Sequence, residues 1–374
     1  MKKRNFYFIN LSIDGVDQGA LHNWKPQFQK TVSKNFNWIE LSAIYDSFDH
    51  KFLIKKDWPC WKDDDSFISF SSIWPNTCTQ FFDDEGWIWT EKTMLNFFND
   101  NRDFFFDYKG KILFVNDGDE WWRNVNLLIN SYYVDIIDGF MTLHISGSIA
   151  TDYEQGMKLL KKTILLPKWT LPWDHINVSE TKKKMGIYFN GGFDSCRAEI
   201  VKRIKNSEIN SYFEGGISRP GKYGGYGRPF TNEYMRENDY IFVERLELFE
   251  YLNKMNESLI SMCGFQENGT FSYRHVESLM LGCGIISGDF SREQDHVFLY
   301  RDKVLPLLYI IKHDLSDLLE VCQYCLDNEN EIRLRGKEGI EVYKKYWELN
   351  EDSSYKDNVW RDIQAQFLEL NIDI

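Results

Sequence analysis

Two short apolar runs, SLISMC at 258–263 and IIS at 285–287, flank one polar, glycine-bearing loop and one amphipathic segment. That arrangement admits few folds. A buried strand that leads through a loop and a helix to a second buried strand is a crossover, and its two strands run parallel. Thr270 or Ser272 can cap the helix, and Gly282 and Gly284 punctuate its end. Val276, Leu279 and Met280 form a core-facing stripe, while Arg274 and Glu277, three apart, share another face near the N-terminal end. A strand that runs through a loop into a helix N-terminus is a ready anion site. An Arg there neutralises phosphate, and a Glu one turn on accepts two hydroxyl hydrogen bonds from a ribose. An ordinary strand–helix turn with a local Arg–Glu pair accounts for the same residues.

The alternation runs through the chain. Strands are expected over 6–11, 38–41, 67–73, 111–115, 134–137, 140–145 and 163–166, with an amphipathic segment at 24–36 and a helix at 90–108. Residues 168–184 hold Pro172, two Trp and a Lys run, directly after Pro167, and read as a linker. Beyond it, strands are expected over 186–189, 211–213, 240–243, 258–263, 285–287 and 307–311. Helices are expected over 196–205, 246–254, 315–326, 329–346 and 358–370. The class is α/β with doubly wound parallel sheets. The expected division is an N-terminal domain at 1–167, a linker at 168–184, a C-terminal domain at 185–350 and a terminal helix at 351–374 that packs back towards the N-terminal domain.

Composition narrows the function classes. A 43% hydrophobic chain of 374 residues is globular and long enough for two cores. Its net charge of −13 argues against broad affinity for nucleic acid, which comes mainly from phosphate neutralisation. No apolar run is long enough to span a membrane, no signal-peptide pattern opens the chain, and the seven Cys are odd in number. A reduced, cytoplasmic setting is expected. Thirteen Trp suit either sugar stacking or core filling. Cys322 and Cys325 lack a second ligand pair and read as structural. The acidic runs 63–65 and 83–85 read as solvated turns, and the seven His show no metal-ligand spacing, so no metal site is assigned.

Three further stretches can carry chemistry. In IYFNGGFDSCR (187–197), Gly191 and Gly192 let the backbone approach a ligand, Ser195 opens the next helix, and Arg197 lies in its first turn. N-G-G-x-D-S also resembles the pyrophosphate loop of the ATP pyrophosphatases, though Asn190 stands where that loop has Ser; a plain turn is the third reading. Arg219, Lys222 and Arg228 sit in a Gly- and Tyr-rich loop that can cover a phosphate or an acceptor strand, or serve only as a connector. Asp117 follows the strand KILFV, where open α/β sheets place ligands, and can act as a general base; Asp119 and Glu120 are its neighbours in a turn-forming N-D-G-D.

Taken together, two doubly wound halves and the segment FSYRHVESLMLGCGIIS (271–287) resemble the GT-B glycosyltransferases, and less closely the exostosin-like transferases. KILFVND (111–117), the Gly-rich loop and the Arg/Glu helix are similar, in that order, to three segments of phage DNA β-glucosyltransferases. The resemblance implies two Rossmann-like domains facing a central cleft, with the nucleotide sugar bound in the C-terminal one. It implies Asp117 as base, Arg197 and Arg274 on the diphosphate and Glu277 on the ribose, with Gly191, Gly192, Ser195 and Thr270 beside them. It also implies a UDP-sugar donor as co-substrate, with no resident cofactor and a divalent metal left open. The implied acceptor is a hydroxymethylpyrimidine in phage-type DNA, which would place the chain in a host cytoplasm. A glycan or glycolipid hydroxyl is the other acceptor that suits an acidic, Trp-rich chain. This chain departs from the phage enzymes at Asp194, where they carry an additional Arg. An adenylating ATP pyrophosphatase, a non-catalytic nucleotide-binding module and a structural interaction protein are the readings from other classes. The oligomeric state is not legible.

Overall fold

In the computed structural model, the structure describes residues 3–10, 29, 32–33, 35–46, 51–71, 97–116, 133–142, 158–167, 183–192, 194–219, 232–264, 271–289, 298–347 and 355–372. The chain forms two compact units. One comprises Met1–Trp169, Val297–Leu299 and Leu349–Ile374, and the other Thr170–His296 and Tyr300–Glu348.

The first unit is built on six parallel strands. β1 (Arg4–Asn10) and β2 (Phe36–Ser42) precede a small antiparallel hairpin, β3 (Ile44–Asp46) and β4 (Lys51–Leu53). β5 (Phe67–Ser71), α1 (Arg102–Asp107), β6 (Lys111–Asn116), α2 (Tyr133–Ile136), β7 (Gly139–Thr142) and β8 (Thr163–Leu165) follow, and the sheet order is β2-β1-β5-β6-β7-β8. Its inner strands β1, β5, β6 and β7 are near-continuous buried, mostly apolar runs, as in a parallel sheet covered on both faces, while the edge strand β2 is half exposed. Aromatic side chains fill the space: Phe70 meets Phe97, Phe98, Phe105 and Phe114 at centroid distances of 5.4, 5.4, 5.8 and 5.3 Å. Trp38 stacks on Phe6 and Phe8, and Trp61 meets Phe104 edge-on, so these Trp serve packing.

Two expectations in this unit fail for physical reasons. No strand forms over the run 134–137: residues 134–136 lie in the helix α2 and 137 follows it. Its C-terminal carbonyls are held by the Lys162 ammonium, which donates to Val134 O and Ile137 O at 2.8 and 2.7 Å. Tertiary capping overrides strand propensity there. The expected helix 90–108 breaks at Asn101, whose amide donates to Phe97 O and Phe52 O and accepts from Ile54 N, each at 2.7 Å. The side chain ties the helix to the hairpin in place of continuing it. The expected helix start at 90–96 lies outside the described residues, as do Trp74, Trp87, Trp89, Trp121 and Trp122.

The edge of this sheet is closed by the last helix, Tyr355–Glu369. Leu165 N donates to Gln366 Oε1 at 2.7 Å, and Gln366 Nε2 donates to Leu165 O at 3.1 Å. One side-chain amide thus pairs both backbone groups of an edge residue. Gln366→Ala is expected to cost about 1–3 kcal/mol by leaving them unpaired; a urea melt checks this, and an unchanged midpoint would contradict it.

The second unit repeats the plan in the order β11-β10-β9-β12-β13-β14, all parallel. Its elements are β9 (Lys184–Gly191), α3 (Ser195–Lys205), β10 (Phe213–Ser218), α4 (Asn232–Glu237), β11 (Phe242–Val243), α5 (Leu248–Glu257) and β12 (Ser258–Cys263). α6 (Tyr273–Met280), β13 (Gly284–Gly288), α7 (Arg301–Val304), β14 (Leu308–Ile311), α8 (Leu318–Asp327) and α9 (Glu329–Tyr346) complete it, and Tyr355–Glu369 is α10. Of the expected strand at 211–213, 211 and 212 belong to a 3₁₀ turn, Glu208–Tyr212, and Phe213 opens β10; 240 and 241 likewise belong to a 3₁₀ turn before β11. α6 is fixed closely against α9. Gly282 ends α6 at φ +65°, and a Cβ on Gly336 of α9 would meet the Gly282 carbonyl oxygen. The strand order reverses between β9 and β12, which is where an open α/β sheet leaves a crevice at its carboxyl ends. Among the described residues no helix is long and apolar enough to cross a membrane.

Candidate functional site

The crevice beyond β9 and β12 is built from four elements. β9 ends in Phe189, Asn190 and Gly191. The Asn190 side chain accepts a hydrogen bond from Ser218 Oγ at the end of β10, at 2.5 Å, and its main-chain oxygen accepts from Arg274 Nη2 at 2.6 Å. Arg274 reaches that carbonyl because position 191 is glycine: a Cβ there would lie 2.9 Å from Nη2 and 3.1 Å from Phe189 Cζ. Gly192 differs, since a Cβ on it would meet nothing within 4 Å.

α6 carries Arg274 into place by a capping box. The Ser272 side chain and the Ser272 N–H both meet His275 of the first turn, the N–H donating to Nδ1 at 3.0 Å. Because Nδ1 accepts, Nε2 bears the ring proton and donates to Ser287 Oγ on β13 at 3.0 Å. Ser272 is therefore the cap, and Thr270 lies outside the described residues.

The guanidinium of Arg274 lies over the Phe189 ring, 4.9 Å from its centroid. Its Nε donates to the Tyr251 hydroxyl of α5 at 3.1 Å, and that hydroxyl donates to Glu277 Oε2 at 3.1 Å. No ion pair joins Arg274 to Glu277 within the described structure; the phenol stands between them. Asn190 O and Tyr251 therefore hold one side of the guanidinium, while Nη1 and Glu277 Oε1 make no hydrogen bond among the described residues. A planar fork held on one side only is suited to an anion, and a carboxylate oxygen a turn away to hydroxyls.

Burial pushes the Glu277 carboxyl above the ordinary carboxylate range, against the opposing pull of Arg274 and the Tyr251 hydrogen bond. Burial likewise raises the Tyr251 phenol well above its usual value, so it remains a donor. The folded protein holds the Glu277 proton more tightly than the unfolded chain does. Its contribution to stability is thus full below the ordinary pKa and is lost as pH rises through the raised one. Glu277→Gln is expected to remove that fall in stability, and pH-dependent urea melts of the two proteins check it. Identical pH slopes would contradict it.

The Gly-rich loop gives a different picture from an open phosphate cradle. Asp194 caps α3, its Oδ1 accepting from Cys196 N at 2.9 Å and Arg197 N at 3.4 Å. Arg197 Nη1 donates back to Gly192 O at 3.2 Å. The N-terminal N–H groups of α3 are thus met by a side chain of the loop itself. Ser195 is exposed at the first helical position. Arg219 pairs with Asp239 at 2.7 Å and Glu244 at 3.3 Å. Asp117, Lys222 and Arg228 lie outside the described residues, and among those described no group of His, Cys, Asp or Glu is placed to hold a metal.

Sequence reasoning missed Tyr251, Phe189 and Ser218. Tyr251 carries no local signal, because its partners lie on another helix. Asn190 was marked only as a departure from Ser; its main-chain oxygen is what positions the arginine.

No protein-family model matches the sequence, and a search of curated proteins gives no match. Solved structures do resemble it. Sucrose-phosphate synthase from Thermosynechococcus elongatus superposes with a TM-score of 0.56 at 12% identity, covering 99% of both chains. Trehalose-6-phosphate synthase OtsA gives 0.55 at 9%, covering 98% of this chain and 99% of that one. Anabaena HepE in complex with UDP and glucose gives 0.52 at 9%, with the same coverage. With two six-stranded parallel sheets and such neighbours, the chain has the GT-B fold.

Proposed function

We propose that the protein is a glycosyltransferase that takes its sugar from a nucleoside-diphosphate sugar, a UDP-sugar first among them. The observation that carries this reading is the held-apart pair on α6: among the described residues Arg274 keeps an unpaired edge and Glu277 an unpaired oxygen, although three-residue spacing would let them neutralise each other. Arg274 is assigned to the diphosphate, where charge develops as the nucleotide leaves, and Glu277 to the ribose. The fold supports the reading, as does HepE, a neighbour whose structure holds UDP and glucose. Gly191, Gly192, Ser195, Arg197 and Thr270 are assigned to the donor's surroundings, and Arg219, Lys222 and Arg228 to the acceptor or the phosphates.

Asp117 is assigned the acceptor proton, which gives inversion by direct displacement. The proposed acceptor is a hydroxymethylated pyrimidine in DNA, on the likeness of three segments to phage enzymes; such a base must be flipped out of the helix to be reached. A sugar hydroxyl is the second reading, favoured by the net charge of −13. The test is a thermal-shift panel of nucleoside diphosphates and their sugars, followed by transfer assays on hydroxymethylated DNA and on oligosaccharides. A rise in melting temperature with one UDP-sugar and transfer to DNA is expected. No shift with any nucleotide would remove the reading, and transfer to oligosaccharide alone would move the acceptor to the second one.

A further inference from the structure

We propose that Tyr251 is a positioning residue, a spacer whose hydroxyl keeps Arg274 and Glu277 from collapsing onto each other and so keeps both open for a ribonucleoside diphosphate. The inference rests on the nucleotide reading for its ligand, though its geometry stands alone.

Arg274 and Glu277 are three residues apart on α6, the spacing at which opposite charges meet on a helix. Both sit in a half-buried place, where an Arg–carboxylate pair would be strong and would leave neither group for a ligand. A side chain from another helix intervenes. The Tyr251 hydroxyl accepts from Arg274 Nε and donates to Glu277 Oε2, both at 3.1 Å, so one oxygen serves as acceptor to the cation side and donor to the anion side. A phenol suits this because it does both at once and stays neutral. A second Arg274 bond, from Nη2 to Asn190 O, ties the guanidinium to the end of β9. Among the described residues, the charged and polar groups acting on Glu277 are Arg274 on its own helix and Tyr251 on α5. The Cys263 thiol of β12 acts on Arg274 and Tyr251 and meets Ser278 Oγ at 3.4 Å.

Tyr251→Phe keeps the ring and removes only the spacer. A crystal structure of this variant without ligand is expected to show a direct Arg274–Glu277 ion pair; the two groups still apart would overturn the proposal whether or not any nucleotide binds. In calorimetry, the variant's affinity for UDP and for inorganic pyrophosphate is expected to fall about tenfold, the worth of one charge-assisted hydrogen bond. Adding Glu277→Gln to Tyr251→Phe is expected to restore pyrophosphate binding, because nothing then captures the guanidinium. Failure of that rescue in a protein that still melts cooperatively would overturn the spacer role. The pH profile separates spacing from plain hydrogen bonding. A newly formed ion pair moves the acid limb of UDP binding to lower pH, whereas mere loss of the tyrosine's hydrogen bond moves it to higher pH. A shift to higher pH contradicts the proposal. Absence of UDP binding by the unaltered protein would sink the nucleotide reading while leaving the crystal structure to judge the spacer.

Discussion

Arg274→Ala is expected to weaken UDP binding by about 3 kcal/mol, roughly 150-fold, since a bidentate charged contact to the diphosphate is lost with it. The change also removes the donor to Asn190 O and to the Tyr251 hydroxyl and uncovers the Phe189 ring. Stability should therefore fall by about 1–3 kcal/mol, without loss of the sheet. Arg274→Lys should rescue little. An ammonium is a point charge and cannot hold Asn190 O and Tyr251 while offering a second edge. Calorimetry with UDP beside a urea melt separates the two effects. Full affinity in the alanine variant would place the nucleotide elsewhere.

Asp117→Asn is expected to lower the transfer rate by about 10²–10⁴ while leaving UDP affinity within about twofold, because a base acts on the acceptor's proton and not on the donor. Asp117 follows β6 directly, and β6 is described through Asn116. Single-turnover transfer and UDP titration on the same preparation check both halves. An active variant would move the base to Asp119 or Glu120; a variant that no longer binds UDP would assign Asp117 to the donor.

The sequence made the second unit far more legible than the first. β9, β12 and β13 are short apolar runs bounded by glycine or charge, and α9 has an uninterrupted helical pattern; such local signals survive tertiary packing. The 134–137 run failed because a distant lysine caps it as a helix, and 90–108 failed because Asn101 bonds to a hairpin some fifty residues earlier. Neither partner is visible in a local window. The site divides the same way. Spacing marks Arg274 and Glu277 as candidates, and the cap rule marks Ser272 beside Thr270, of which the structure uses Ser272. What decides whether they form a bland pair or an open site is Tyr251, 23 residues before Arg274 on another helix. Asp194 looked like a departure in a phosphate loop; the structure gives it a local task, the helix cap that a Ser or Asp ordinarily supplies.

The most direct test is a crystal structure of the protein with UDP. The account predicts diphosphate oxygens about 2.7–2.9 Å from the outer guanidinium edge of Arg274, with ribose hydroxyls donating to Glu277 and Tyr251 still between the two. UDP bound elsewhere, or bound here with Arg274 and Glu277 paired to each other and not to the nucleotide, would contradict it.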